Sequence, residues 1–300
     1  MATSLAQKLR HLATQVEQHA SVDTYAKKLT VTEGGIHGLW DFKMTLIAYF
    51  LYWQLANLPD KRYDFLIAGV MHLGTGASYF SMPPNVDVIT WNYDLQFEIA
   101  FAKYKKLKTI DAVIQEVNCF PRPGNFSIFN QPQVNDPYAK KFSILKLNGT
   151  AGLHYDSTLI NTNGELSYPL NNPINSDFIF DGPQSGAELT NAILKHYQAM
   201  VSSTAPGSKY NNLFSYAWES TSVVPPRYII KEPFDTEVLV IIGYSFPTFN
   251  RYVDRFLFEN MPKLSKIYYQ DPKPQIDVLT KSILSDQQRD QLKRPYSNPD

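Results

Sequence analysis

The chain has 300 residues, 28 of them basic and 28 acidic, and no net charge. That length suits one large domain or two small ones, and the balanced charge lacks the basic excess of a nucleic-acid footprint. The single cysteine, Cys119, excludes an internal disulfide and any cysteine-based zinc site. Met1 to Ala20 is polar and helix-patterned, without the apolar core of a signal peptide. The most apolar stretch, Met44 to Leu58, is too short and too interrupted to span a membrane, so a cytoplasmic protein is expected.

In chain order, Leu5, Leu9, Leu12 and Val16 recur at helical spacing, and Leu46, Phe50, Trp53 and Leu55 predict a buried, aromatic-rich helix. Tyr63 to Leu73 predicts another helix, ended by Gly74-Thr-Gly-Ala-Ser78 and Pro83-Pro84. Val86 to Trp91 reads as a strand and Leu95 to Lys105 as a helix, whose end carries a solvated cluster of Lys103, Lys105, Lys106 and Lys108. Asn118 to Tyr138 reads as loop, Phe142 to Leu147 as a second strand, and Tyr155 to Gly186 as loop again. A helix is expected from Gly186 to Val201, then a flexible Ser202 to Lys209 segment. Val238 to Ile242 is the strongest strand, followed by a helix over Arg251 to Glu259 and a last strand over Lys266 to Tyr269. Asp286 to Asp300 reads as a frayed polar tail.

This alternation predicts an α/β fold: a Rossmann-like, mostly parallel sheet flanked by helices. Residues 1–85 are its helical N-terminal part, 86–285 the core with a loop-rich insertion at about 155–225, and 286–300 the tail. Three strand ends carry polar or glycine-containing turns: Asn92 to Asp94, Asn148-Gly149, and Gly243 to Ser245. Ligands bind outside the carboxyl ends of strands in open α/β sheets, so three such ends on one edge predict a nucleotide-sized site. The plainer alternatives are local: Asp94 as a helix cap, Gly243 as a tight turn, Ser245 as the N-cap of the next helix.

The same turns carry a family resemblance. Thr90-Trp-Asn-Tyr-Asp94 followed by Glu98 resembles the threonine-x-asparagine-tyrosine-aspartate signature of bacterial sirtuin-like domains. Leu145-Lys-Leu-Asn-Gly149 is similar to their leucine-histidine-glycine segment, and Val224-Pro-Pro226 with Lys231 to a proline-proline…lysine stretch. Leu239-Val-Ile-Ile-Gly-Tyr-Ser-Phe246, with Asp254 beyond it, resembles the family's glycine-tyrosine-serine-phenylalanine turn. Order and spacing agree over roughly Leu66 to Pro274, and the lack of a four-cysteine zinc module fits the prokaryotic branch rich in antiviral NAD hydrolases.

The resemblance implies a sirtuin-like, NAD-consuming protein that hydrolyses NAD to nicotinamide and ADP-ribose, with phage defence as the implied setting. Asn92 would contact the nicotinamide ribose and position the attacking water, while Asp94 anchors its loop. Gly243 would let the cofactor approach the backbone and Ser245 would bond a phosphate or ribose. Thr90, Gly149, Tyr244 and Asp254 complete the cofactor-binding set. NAD serves as substrate or ligand with no metal, and a homo-oligomer or a partner defence protein is the expected assembly.

Two departures favour the alternative, a catalytically weakened sirtuin-like nucleotide-binding or assembly module. The family's histidine is Asn148 here, and an amide cannot take up a proton near neutral pH; His154, on the following loop, is the candidate replacement. The family's first strand and its glycine-rich phosphate turn also have no counterpart before Asn92. Val31-Thr-Glu-Gly-Gly35 lacks a preceding strand, and Gly74-Thr-Gly-Ala-Ser78 follows a helix. The chain therefore reads as one that starts after that loop, has lost it, or takes it from another chain.

Overall fold

A computed structural model describes residues 2–19, 21–32, 35–73, 80–107, 112–113, 116–120, 142–156, 186–202, 210–216, 218–219 and 235–291. The chain forms two compact units, Met1–Tyr216 and Ala217–Asp300. The first begins with α1 (Ala2–Glu17), α2 (Val22–Val31) and α3 (Gly35–Ala56). Ser21 caps α2, its Oγ accepting from the Thr24 amide at 3.1 Å. α3 buries every residue from Phe42 to Ala48, positions that run round the whole helix and make it a central rod. α1 and α2 pack on it, with Lys8 of α1 ion-paired to Asp41 of α3.

α4 (Lys61–Val70) starts at Asp60, whose Oδ1 accepts from the Arg62 amide at 2.9 Å. It stops short of the expected Leu73, because His72–Leu73 (β1) pairs antiparallel with Phe80–Ser81 (β2). Next come β3 (Asp87–Thr90), α5 (Gln96–Lys105), β4 (Asn118–Phe120) and β5 (Ser143–Lys146). These strands form a parallel sheet in the order β3-β5-β4. β5 is buried at all four positions, as a central parallel strand must be. α4 packs against α5, and a core of Ile67, Phe97, Phe101, Val113, Phe142 and Ile144 joins helices to sheet.

β5 turns through Leu147 and Asn148 into β6 (Gly149–Asp156), which pairs antiparallel with β7 (Tyr210–Phe214), while α6 (Ala187–Ser202) lies against α3. The second unit holds β8 (Val238–Ile242), α7 (Arg251–Glu259) and β9 (Lys266–Gln270), with β8 and β9 parallel from Val238↔Lys266 to Ile242↔Gln270. A helical turn at Ile276–Val278 runs into a π-helical stretch, Leu279–Ile283, and α8 (Asp286–Gln291) follows.

The fold is therefore mixed helical with small parallel sheets, an α/β arrangement. Among the described residues the strands form four small sheets where one mostly parallel sheet was expected. Three further expectations are corrected. Asn118–Phe120 is a strand because it adds to the free side of β5; Tyr155 and Asp156, read as the start of a loop, end β6 because that strand pairs with β7; and Asp286–Gln291 is helical. The segments Gly74–Ser78, 121–141, 157–185, 203–209, Val224–Lys231 and 292–300 lie outside the described residues. No helix among the described residues is long and apolar enough to cross a membrane.

Candidate functional site

Two of the three strand ends singled out in the sequence meet in the first unit. β3 and β5 are parallel neighbours with Thr90 opposite Lys146, so the segment Trp91–Asp94 and the turn Leu147–Gly149 leave the sheet side by side. Backbone and side-chain bonds join them. The Leu147 amide donates to the Thr90 carbonyl at 2.9 Å, Asn148 Nδ2 to the Trp91 carbonyl at 3.0 Å, and the Ala151 amide to the Tyr93 carbonyl at 2.7 Å. Gly149 takes φ 69°, a left-handed conformation that favours glycine and lets the chain turn into β6.

The loop between β3 and α5 is also fixed from within. Thr90 Oγ1 accepts from the Asn92 amide at 3.0 Å. The Tyr93 ring sits edge-on between Phe50 and Phe214, with centroids 4.8 and 4.7 Å away, and burial pushes its hydroxyl pKa up. Asp94 is buried, its Oδ1 accepting from the Gln96 amide at 3.1 Å; this is the capping role weighed against a catalytic one. The Leu95 amide donates to Gln54 of α3. Asn92 is left exposed, its Nδ2 donating to the Tyr63 hydroxyl at 3.3 Å. Burial, and then the Asp94 charge, raises the pKa of that hydroxyl, which keeps it a neutral donor and acceptor.

Beneath the loop lies an ion pair that sequence reasoning did not single out. Lys146 Nζ is 3.0 Å from Oε1 and 3.1 Å from Oε2 of Glu98, and it also donates to the Asp94 carbonyl. The two side chains are 4% and 2% exposed. Burial raises the Glu98 pKa against the pull of the ammonium. For Lys146, burial pulls the pKa down, but the attraction of Glu98 and then Asp94 outweighs it and holds the ammonium above its ordinary value. The signal was a lone lysine inside the apolar run Phe142–Leu147, with Glu98 one helical turn beyond Asp94.

Asn148 is buried and its backbone carbonyl accepts from the Ser215 amide at 3.0 Å. Its amide therefore ties down the Trp91 carbonyl where the expected family residue would be a base. His154 lies within β6 opposite Asn212, on a strand rather than on the loop expected for it. Val31 closes α2 and Gly35 opens α3.

The third strand end belongs to the second unit. Gly243 takes φ 61°, and a Cβ there would meet nothing within 4 Å; the turn, not a close approach, calls for glycine. Its amide donates to the Gln270 carbonyl at 3.0 Å. Tyr244 donates to both carboxylate oxygens of Asp254, at 2.9 and 3.1 Å, and its carbonyl accepts from the Tyr269 hydroxyl. Burial lifts the Asp254 pKa to about 7 despite Tyr244 and Arg251, which oppose the rise. Phe246, at φ 52°, is buried against Tyr244, Phe258 and Tyr269. Ser245 is exposed and does not cap α7, which is entered through a 3₁₀ turn at Thr248–Asn250.

Chemically, the paired strand ends present the exposed Asn92 amide beside the half-buried Thr90 hydroxyl on a fixed backbone, suited to orienting a polar ligand by hydrogen bonds. Among the described residues no cluster of three or more His, Cys, Asp or Glu side chains could hold a metal ion. Models of known protein families, curated proteins and solved structures all return no match to the chain.

Proposed function

We propose that the paired strand ends at Thr90–Asp94 and Asn148–Gly149 bind the nicotinamide riboside end of NAD and promote cleavage of its glycosidic bond. The products are nicotinamide and ADP-ribose, as in the sirtuin-like NAD hydrolases of phage defence that the sequence resembles. The observation that carries this reading is the exposed Asn92 amide, fixed above two adjacent ends of a parallel sheet where α/β folds bind ligands. A water adds to the anomeric carbon, the carbon–nitrogen bond breaks, and its electron pair leaves with neutral nicotinamide. The water's surplus proton passes to solvent. Asn92 orients ribose and water, and catalysis rests on orientation and electrostatics rather than on a strong base. The Rossmann-like ancestry of the sheet and a partner or second copy in defence belong to the same proposal.

One observation favours a second reading, a nucleotide-binding or assembly module without turnover. Asn148 is buried and committed to the Trp91 carbonyl, so among the described residues the side chain at that strand end is not a proton acceptor. Nicotinamide release by the purified protein, with Asn92→Ala beside it and NAD binding measured by calorimetry, separates the two. Release lost in the variant supports hydrolysis; equal release by both proteins removes Asn92 from the site. Binding without release, weakened in the variant, supports a nucleotide-binding module, and neither binding nor release refutes any NAD site and leaves the assembly module.

A further inference from the structure

We infer that Lys146 is the positioning residue of the Asn92 loop, holding the Asp94 carbonyl from inside the core while Glu98 supplies the counter-charge that keeps the lysine there. Because β3 and β5 run in register, Lys146 stands beside Thr90, the last residue of β3, and reaches past it to Asp94. Its remaining donors meet Oε1 and Oε2 of Glu98 at 3.0 and 3.1 Å. An ammonium has three protons to donate, and these three acceptors satisfy them. Glu98 lies in the first turn of α5, where the helix N-terminus favours a carboxylate.

A buried ion pair adds little to stability over an apolar pair of similar volume. What an apolar pair cannot do is donate to the Asp94 carbonyl. The loop has other ties: Asn148 on Trp91, Thr90 and Tyr63 on Asn92, Ala151 on Tyr93 and Gln54 on Leu95. Lys146 alone among those described pulls with a charge, and it does so at the point where the loop enters α5. Removing it frees the end of the loop and lets Asn92 leave the height at which a ligand meets it. The role deepens the NAD reading and rests on it for the identity of the ligand, but the tether itself can be measured without one.

The test is the double variant Lys146→Met with Glu98→Met, which removes both members of the buried pair, beside Glu98→Gln, which keeps the lysine but removes its counter-charge. Hydrogen exchange reads the loop, with the β5 amides as internal reference, and calorimetry reads NAD affinity. A hydrogen bond to a charged group converts to about a 10- to 100-fold change in an equilibrium. The double variant is therefore expected to exchange its Asn92 and Leu95 amides faster by about that factor, to bind NAD more weakly, and to keep β5 rates unchanged. Glu98→Gln, which takes away the counter-charge, is expected to speed loop exchange as well, and wild-type loop rates in it overturn the role given to Glu98. Wild-type loop rates in the double variant overturn the inference. If that variant does not fold, the wild type decides: loop amides protected like those of β5 support the tether, and open-chain rates overturn it. Loop exchange that responds as expected in a protein with no NAD affinity refutes the NAD reading and leaves the tether standing.

Discussion

Replacing Asp254 with Asn should make the protein more stable above neutral pH and leave it nearly unchanged in acid. Asp254 is 2% exposed in the first turn of α7, and burial lifts its pKa from 3.8 to about 7. Since the folded state holds the proton more tightly than the unfolded chain, the stabilisation is complete below pH 3.8 and disappears as pH rises through about 7. At about 1.4 kcal/mol per pH unit, the difference between the protonated and ionised ends of that window is about 4 kcal/mol. An asparagine has the shape of the protonated acid, still accepts from Tyr244 at one oxygen, and never ionises. Urea unfolding of both proteins in parallel from pH 4 to pH 9 isolates the effect, because other titrating groups cancel in the difference. The variant's advantage should be near zero at pH 4, grow through pH 7 and level off at up to about 4 kcal/mol. A difference that stays flat across the range, or a variant less stable than wild type at pH 8, would refute the reasoning.

The turn next to Asp254 makes its own prediction. Phe246→Ala keeps a side chain in the left-handed region, whereas Phe246→Gly relieves that strain, so the glycine variant should be the more stable by about 1 kcal/mol in urea. That reverses the order expected in ordinary backbone. Both should fall below wild type by about 2–5 kcal/mol through loss of the buried ring. Asn92→Ala, which removes one exposed 3.3 Å hydrogen bond, should shift stability by less than about 1 kcal/mol while abolishing nicotinamide release. Since none of Thr90, Asn92 and Asn148 titrates near neutrality, release should be level from about pH 6 to pH 8.5; a steep acid limb centred on the histidine range would point to an imidazole in the reaction.

The helices and short buried strands were legible because each carries its own pattern. Leu46, Phe50 and Trp53 mark α3, and β5 and β8 read as apolar runs. β6 and β7 were not legible. Gly149-Thr-Ala-Gly152 and Asn211-Asn212 favour turns by local preference, and only pairing across the sheet makes strands of them. β4 owes its state to β5 in the same way. The neighbourhood of Asn92 and Asn148 followed from a simple rule, that parallel strands end on one edge. The rule could not say which strands share a sheet, and Gly243 to Ser245 fell in the other unit. The lysine under the loop was visible as an oddity in β5, but its partner was set by the register Thr90↔Lys146, which no local pattern encodes.

The same register has a consequence for how the molecule assembles. β3 and β5 join residues 56 positions apart, as in the pair Asp87 and Ser143, whereas β8 and β9 close over 28, as in Glu237 and Ser265. Doubling the closed loop adds only about 0.6 kcal/mol of chain entropy, but pairing over long separations is what slows folding. The second unit's sheet should form before the strand ends that carry Asn92 and Asn148 meet. A refolding chain would then regain much of its regular structure before it could recognise any ligand. A nucleotide added during refolding could hold the finished state without hastening the route to it.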